Sequence, residues 1–134
     1  EMIKNISQIY IVACGSAYHV GMAAQYVLED LARIPVRVEL ASEFRYRNPI
    51  LDPNGLAVIV SQSGETADSL AALRECKAKG IRTLAIVNVI GSSIAREADN
   101  FCCNYKGLQY SADRFLCTGT SVCKGQRRDN RGTV

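Results

Sequence analysis

Hydrophobic positions fall into two kinds of block along this chain. Ile9–Ala13 and Leu56–Val60 are short, unbroken apolar runs, the pattern of buried strands, and Thr83–Val87 reads as a further buried strand. Val36–Leu40 alternates apolar and polar residues, which predicts a strand with one wet face at a sheet edge. Between these runs the period is helical. Met22, Ala23, Tyr26, Val27 and Leu31 recur at spacings of three and four, predicting a buried stripe on a helix from about Tyr18 to Arg33, closed by Pro35. Ala67, Leu70, Ala71 and Leu73 predict the apolar face of a second helix, Ala67 to Lys79. Lys77 and Lys79 suit its negative end and Gly80 its C-cap.

Shorter elements complete the pattern. A helix over 41–47 is expected to start at Ser42, and Pro49, Pro53, Asn54 and Gly55 mark a turn-rich loop. Gly91-Ser92-Ser93 predicts the cap of a short helix ending at Glu97, and residues 99–103 a weaker fifth strand. Strands alternating with helices through residue 105 predict an α/β fold, a parallel five-stranded sheet with helices on both faces. Beyond Tyr105 the period fades and glycines interrupt. The chain therefore divides into a folded unit, 1–105, and a poorly structured basic tail, 106–134, with a short helix expected only around Ser111–Leu116.

Composition sharpens this picture. At 134 residues and 48% hydrophobic, the chain is one domain's worth with enough apolar mass for a core. No apolar stretch approaches the roughly 20 residues that cross a bilayer, and the first residues lack the pattern of a signal peptide. The chain opens on Glu1, which suggests a segment of a larger polypeptide. Its net charge of +3 is concentrated in residues 106–134, which hold six basic and two acidic side chains. Contact of Lys124, Arg127, Arg128 and Arg131 with nucleic acid or anionic lipid is one reading. Glycine, asparagine and glutamine around them, with no interleaved aromatics, favour a solvated end with neither partner. Six cysteines show no CxxC pair and there is a single histidine, so zinc-ligand spacing is absent and free thiols in a reducing cytoplasm are expected.

The candidate chemistry lies in Ser61-Gln62-Ser63-Gly64-Glu65-Thr66, between a buried strand and a helix. Helix N-termini carry unpaired N–H donors and a partial positive charge, so a loop there suits a phosphate. Three hydroxyls, one amide and a glycine, without lysine or arginine, fit a phosphorylated small molecule better than a nucleic acid, and a phosphosugar best. The plainer reading is that Ser63 or Thr66 caps the helix and Gly64 eases the turn. Strand order 2-1-3-4-5 would set this loop beside Cys14-Gly15-Ser16, both bordering the crevice of a doubly wound sheet. Glu65, repulsive to a dianion, is expected to turn outward and complement the helix dipole. Cys14 is read as a packed thiol, and His19 has no partner that would make it a catalyst. No residue marks a general base, a Schiff-base lysine, a metal site or a cofactor.

These residues resemble the isomerase portion of the glutamine–fructose-6-phosphate aminotransferases, the glucosamine-6-phosphate synthases, built on the sugar isomerase (SIS) fold. The phrases that carry the resemblance are Ala13-Cys14-Gly15-Ser16-Ala17-Tyr18, Ala41-Ser42-Glu43-Phe44-Arg45-Tyr46-Arg47, Ser61 through Asp68, and Asn88 with Gly91-Ser92-Ser93. They span about residues 8–100. The serine loop alone indicates a generic SIS domain, and the Ala41–Arg47 phrase points to the synthases.

The resemblance implies a flavodoxin-like sheet and a site for fructose 6-phosphate or glucosamine 6-phosphate. Ser61, Gln62, Ser63 and Thr66 match its phosphate-binding positions, Gly64 lies within the same loop, and Gly15-Ser16 lies beside the sugar. Family members carry two hydroxyl residues after that glycine, whereas here the second is Ala17. The family's alanine- and serine-rich stretch after the fifth strand has no counterpart beyond residue 103. The resemblance further implies an N-terminal glutaminase domain that releases ammonia and a second SIS half that holds the catalytic groups, in a cytoplasmic homodimer. The reading is thus a substrate-binding subdomain of an amino-sugar synthase, inactive by itself and without catalytic residues of its own. A phosphosugar-sensing SIS module of a regulator is the alternative, and a stand-alone phosphosugar isomerase is a third.

Overall fold

The computed structural model describes residues 5–103. The tail beyond residue 105, with its expected helix around Ser111–Leu116, lies outside them. In chain order the elements are β1 (Ile9–Ala13), α1 (Ser16–Ala32), β2 (Val36–Leu40), α2 (Ala41–Arg47), β3 (Leu56–Ser61), α3 (Ala67–Ala78), β4 (Arg82–Val87), α4 (Ser93–Glu97) and β5 (Asn100–Cys103). All strands are parallel in the order β2-β1-β3-β4-β5, so the alternating segment does form the edge. Ile9 pairs with Val36 on one side and Leu56 on the other, which brings the ends of β1 and β3 level.

The central strands β1 and β3 are apolar almost throughout because both of their faces are roofed. On one face α2, α3 and α4 press Phe44, Ala72, Leu73, Cys76 and Ile94 onto Val12, Ala57, Ile59, Ala85 and Val87. On the other, α1 presses Ala17 and Ala24 onto Ile9, Ile11, Ala13, Val58 and Val60. Burial at about 25 cal/mol per Å² of apolar surface drives both contacts. α1 packs on β1, β2 and β3. Among the described residues no helix roofs the β4–β5 half of that face, where Leu84 and Ile86 stay half-buried.

The buried stripes differ from those the sequence predicts. On α1 the inward residues are Ala17, Gly21 and Ala24, whereas Met22, Tyr26 and Leu31 are exposed. The cause is close approach: a Cβ at Gly21 would come within 2.9 Å of Ile11 Cγ2 and 3.2 Å of Val38 Cγ1. Small residues let the helix sit tight on the sheet; Tyr18, Val20 and Leu28 pack against the core half-buried, and Met22, Tyr26 and Leu31 are left outside. α1 also serves the edge strand, since Gln25 Nε2 donates to Val36 O (2.8 Å) and Glu29 Oε1 accepts the Val36 N–H (3.0 Å).

On α3 the buried residues are Ser69, Ala72, Leu73 and Cys76; Ala67 is exposed, and Leu70 and Ala71 are half-buried. Leu73 is buried as predicted, but the face as a whole lies two positions later, with Thr66 and Ser69 at the start of the helix lining the crevice. Burial pushes the Cys76 thiol up to about 12. α2 begins at Ala41 after Leu40 with no side-chain cap, so Ser42 does not start it. The C-cap of α3 is Lys79 and not Gly80; Gly80 follows it with φ 74, a positive value that glycine takes without strain. Ser92 caps α4, its hydroxyl accepting the Ala95 N–H.

Candidate functional site

β1 and β3 are neighbours, yet α1 and α3 leave them toward opposite faces of the sheet. A crevice opens at that divergence, as it must in a doubly wound sheet. Its volume is about 600 Å³. One wall is Cys14, Gly15, Ser16 and Ala17; the other is Val60, Ser61, Gln62, Ser63, Thr66 and Ser69, with Asn88 and Val89 from the end of β4. No charged side chain is among these lining residues.

Two helix N-termini meet here. The N-cap of α1 is Gly15 and that of α3 is Thr66, and neither makes a side-chain capping bond. Tyr18 N–H is bonded to the Gly15 carbonyl at 3.1 Å, but other first-turn N–H groups at both helices lack a side-chain cap, and both dipoles present their positive ends to the crevice. An anion or a strongly polar oxygen is the complement of that arrangement.

The serine loop is shaped by its own hydroxyls. Ser61 Oγ, nearly buried, accepts the Gly64 N–H at 3.1 Å and lies 3.1 Å from Thr66 Oγ1. Ser63 Oγ accepts the Glu65 N–H at 3.2 Å, and Gln62 O accepts the Asn88 N–H at 3.2 Å. Gly64 has φ 69, and a Cβ there would overlap the Ser92 hydroxyl. This is a position that only glycine fills without displacing α4.

Of the seven residues singled out in the sequence, Gly15, Ser16, Ser61, Gln62, Ser63 and Thr66 come together on the crevice walls. Gly64 does not line it; it is buried behind the loop against Ser92. Glu65 faces away from the cradle and is exposed, but it serves α4 and not α3: its carboxylate accepts the Ser93 N–H at 2.8 Å. Ser93 holds this carboxyl below its ordinary range, and Arg96 adds to the effect. His19 sits on α1, exposed and edge-on to Tyr18 at 5.6 Å, outside the crevice lining.

Ser69 and Val89 were not singled out. Ser69 is fully buried in the first turn of α3, its Oγ donating a weak bond to Cys14 Sγ at 3.8 Å across the crevice floor. Its place three residues after Thr66, on the same helix face, was the available signal. The Ala41–Arg47 phrase lies outside the crevice. Phe44 fills the core, Arg45 pairs with Asp68 (2.9 Å) and stacks on Tyr46, and Arg47 pairs with Glu39 (2.7 Å).

A family model described as the SIS domain matches residues 2–110. The isomerizing glutamine–fructose-6-phosphate aminotransferase of Clostridium tetani is 59% identical over 107 residues, covering 80% of this chain and 18% of that relative. The C-terminal domain of a glucosamine-fructose-6-phosphate aminotransferase from Francisella tularensis superposes with a TM-score of 0.74 at 43% identity, over 76% of this chain and 29% of the other. A glucosamine-6-phosphate deaminase from Thermotoga maritima superposes with a TM-score of 0.70 at 29% identity, over 75% and 32%. The chain thus spans about a fifth of the length of the curated relatives it matches.

Proposed function

Because this chain belongs to the SIS domain family, we propose that its crevice seats the phosphate of fructose 6-phosphate or glucosamine 6-phosphate in an isomerising glutamine–fructose-6-phosphate aminotransferase. One observation carries the reading: two uncapped helix N-termini and four polar side chains of one loop converge on an uncharged crevice. Hydrogen bonds to a charged group contribute about 1.5–3 kcal/mol each, so three or four of them hold a phosphate at about micromolar to millimolar strength. The backbone at Gly15 and Ser16 faces the sugar end. The relatives' names supply the identity of the sugar and of the reaction.

In this reading the chain binds and orients but does not turn substrate over. No carboxylate, lysine or histidine lines the crevice among the described residues, so no group there moves a proton between C1 and C2 of the sugar. That chemistry is assigned to a second SIS half, and ammonia supply to a glutaminase domain, within a homodimeric enzyme of the cytoplasm.

Amide chemical-shift titration of the chain with fructose 6-phosphate tests the reading. Gly15, Ser16 and residues 61–66 are expected to move first, and no glucosamine 6-phosphate is expected from the sugar and free ammonia. Shifts confined to other surfaces, or no binding at millimolar sugar, overturn the site. Turnover by the isolated chain overturns its assignment as a binding piece.

A further inference from the structure

The start of α4 differs from the other two helix starts at this end of the sheet, because its donors are all taken. The Glu65 carboxylate accepts the Ser93 N–H (2.8 Å), the Gly64 carbonyl the Ile94 N–H (3.0 Å) and the Ser92 hydroxyl the Ala95 N–H (3.4 Å). Two of these three acceptors belong to the serine loop, and Gly64 is packed directly on Ser92. The loop is thus fastened from behind, by backbone and side chain, to an element that does not touch the crevice. We propose that Glu65 is a positioning residue for the anion site: by capping α4 it fixes the loop in the shape that presents Ser61, Ser63, Thr66 and the α3 N-terminus to a ligand. This inference rests on the crevice being an anion site and adds to it the residue that keeps it in form.

The placement also answers an electrostatic difficulty. A carboxylate facing the crevice would repel a phosphate dianion, with a penalty that grows as water is excluded. Glu65 instead points at the N–H groups of α4, with Arg96 as its charged neighbour there. The remaining acidic side chain of this corner, Asp68 in the first turn of α3, is held by Arg45 at 2.9 Å. Both negative charges next to the cradle are therefore turned away from it.

Calorimetric titration of the 134-residue chain and its Glu65→Gln and Glu65→Ala variants with fructose 6-phosphate, and separately with inorganic phosphate, tests this. Glutamine keeps the acceptor without the charge and is expected to bind within about twofold of the natural chain, whereas alanine is expected to weaken binding about tenfold. Glu65→Asp, one methylene short of the Ser93 N–H, should fall between them and replaces the alanine variant if that chain does not fold. Without ligand, the Ser93 amide resonance should titrate in the natural chain with a midpoint below the usual carboxylate value of 4.5, and in neither of the first two variants. Equal affinity in all chains, equal loss in the glutamine and alanine variants, or a Ser93 amide blind to pH overturns the proposal. A natural chain that binds neither probe overturns the crevice reading instead, and the Ser93 titration still decides whether Glu65 holds the loop.

Discussion

Ser61 and Thr66 share one hydrogen bond, and its sense decides which hydroxyl offers a proton to a ligand. If Thr66 donates, Ser61 already accepts from Gly64 and its own proton is free; if Ser61 donates, the free proton is on Thr66. Either way the pair presents one donor, and Ser63, which accepts from Glu65, presents another. Ser63→Ala and Thr66→Ala should each weaken fructose 6-phosphate binding by about 1–3 kcal/mol in calorimetry. Ser63 is exposed, so its variant should leave the urea midpoint unchanged. Residues of this kind were legible because they are contiguous: four polar side chains between an apolar run and a helical one need no tertiary information. Ser69 was not, since its role depends on the phase of α3 against the sheet. Gly64 stood out in the sequence, but its purpose, clearance for Ser92, comes from a residue 28 positions away.

Elements were legible where burial is two-sided. β1 and β3 are continuous apolar runs, so their existence does not depend on which face is which. The α1 stripe was misassigned because side-chain size was taken as a guide to burial, and here contact distance decides. A helix laid tightly on a sheet buries glycine and alanine, and a Cβ added at Gly21 would meet Ile11 and Val38 inside ordinary van der Waals range. Gly21→Val should therefore cost about 1–3 kcal/mol of stability through overpacking. Tyr26→Ala, on the outward side, should change stability by no more than about 0.5 kcal/mol. Urea unfolding of the two variants separates the observed stripe from the predicted one, and the reverse ranking would put α1 the other way round. The short α4 was readable from its serine cap, whereas its connection to the crevice, through Glu65 and Gly64, was not.

At the scale of the molecule the parallel order β2-β1-β3-β4-β5 sets both the crevice and an asymmetry. Among the described residues three helices cover one side of the sheet and a single helix covers the other. Among the described residues Leu84 and Ile86 stay half-buried beside α1, and the outward flank of α1 exposes Met22, Tyr26 and Leu31. Exposed apolar area of this kind sets how a folded chain behaves in solution, independently of any ligand. The 134-residue chain should brighten the dye anilinonaphthalene sulfonate while its near-ultraviolet dichroism is native, and Ile86→Lys should dim that signal without lowering sugar affinity. Dye fluorescence equal to that of a fully roofed α/β protein would contradict this. The crevice at the ends of β1 and β3 and the apolar flank beside α1 occupy separate regions of the sheet, so a change at one leaves the geometry of the other intact.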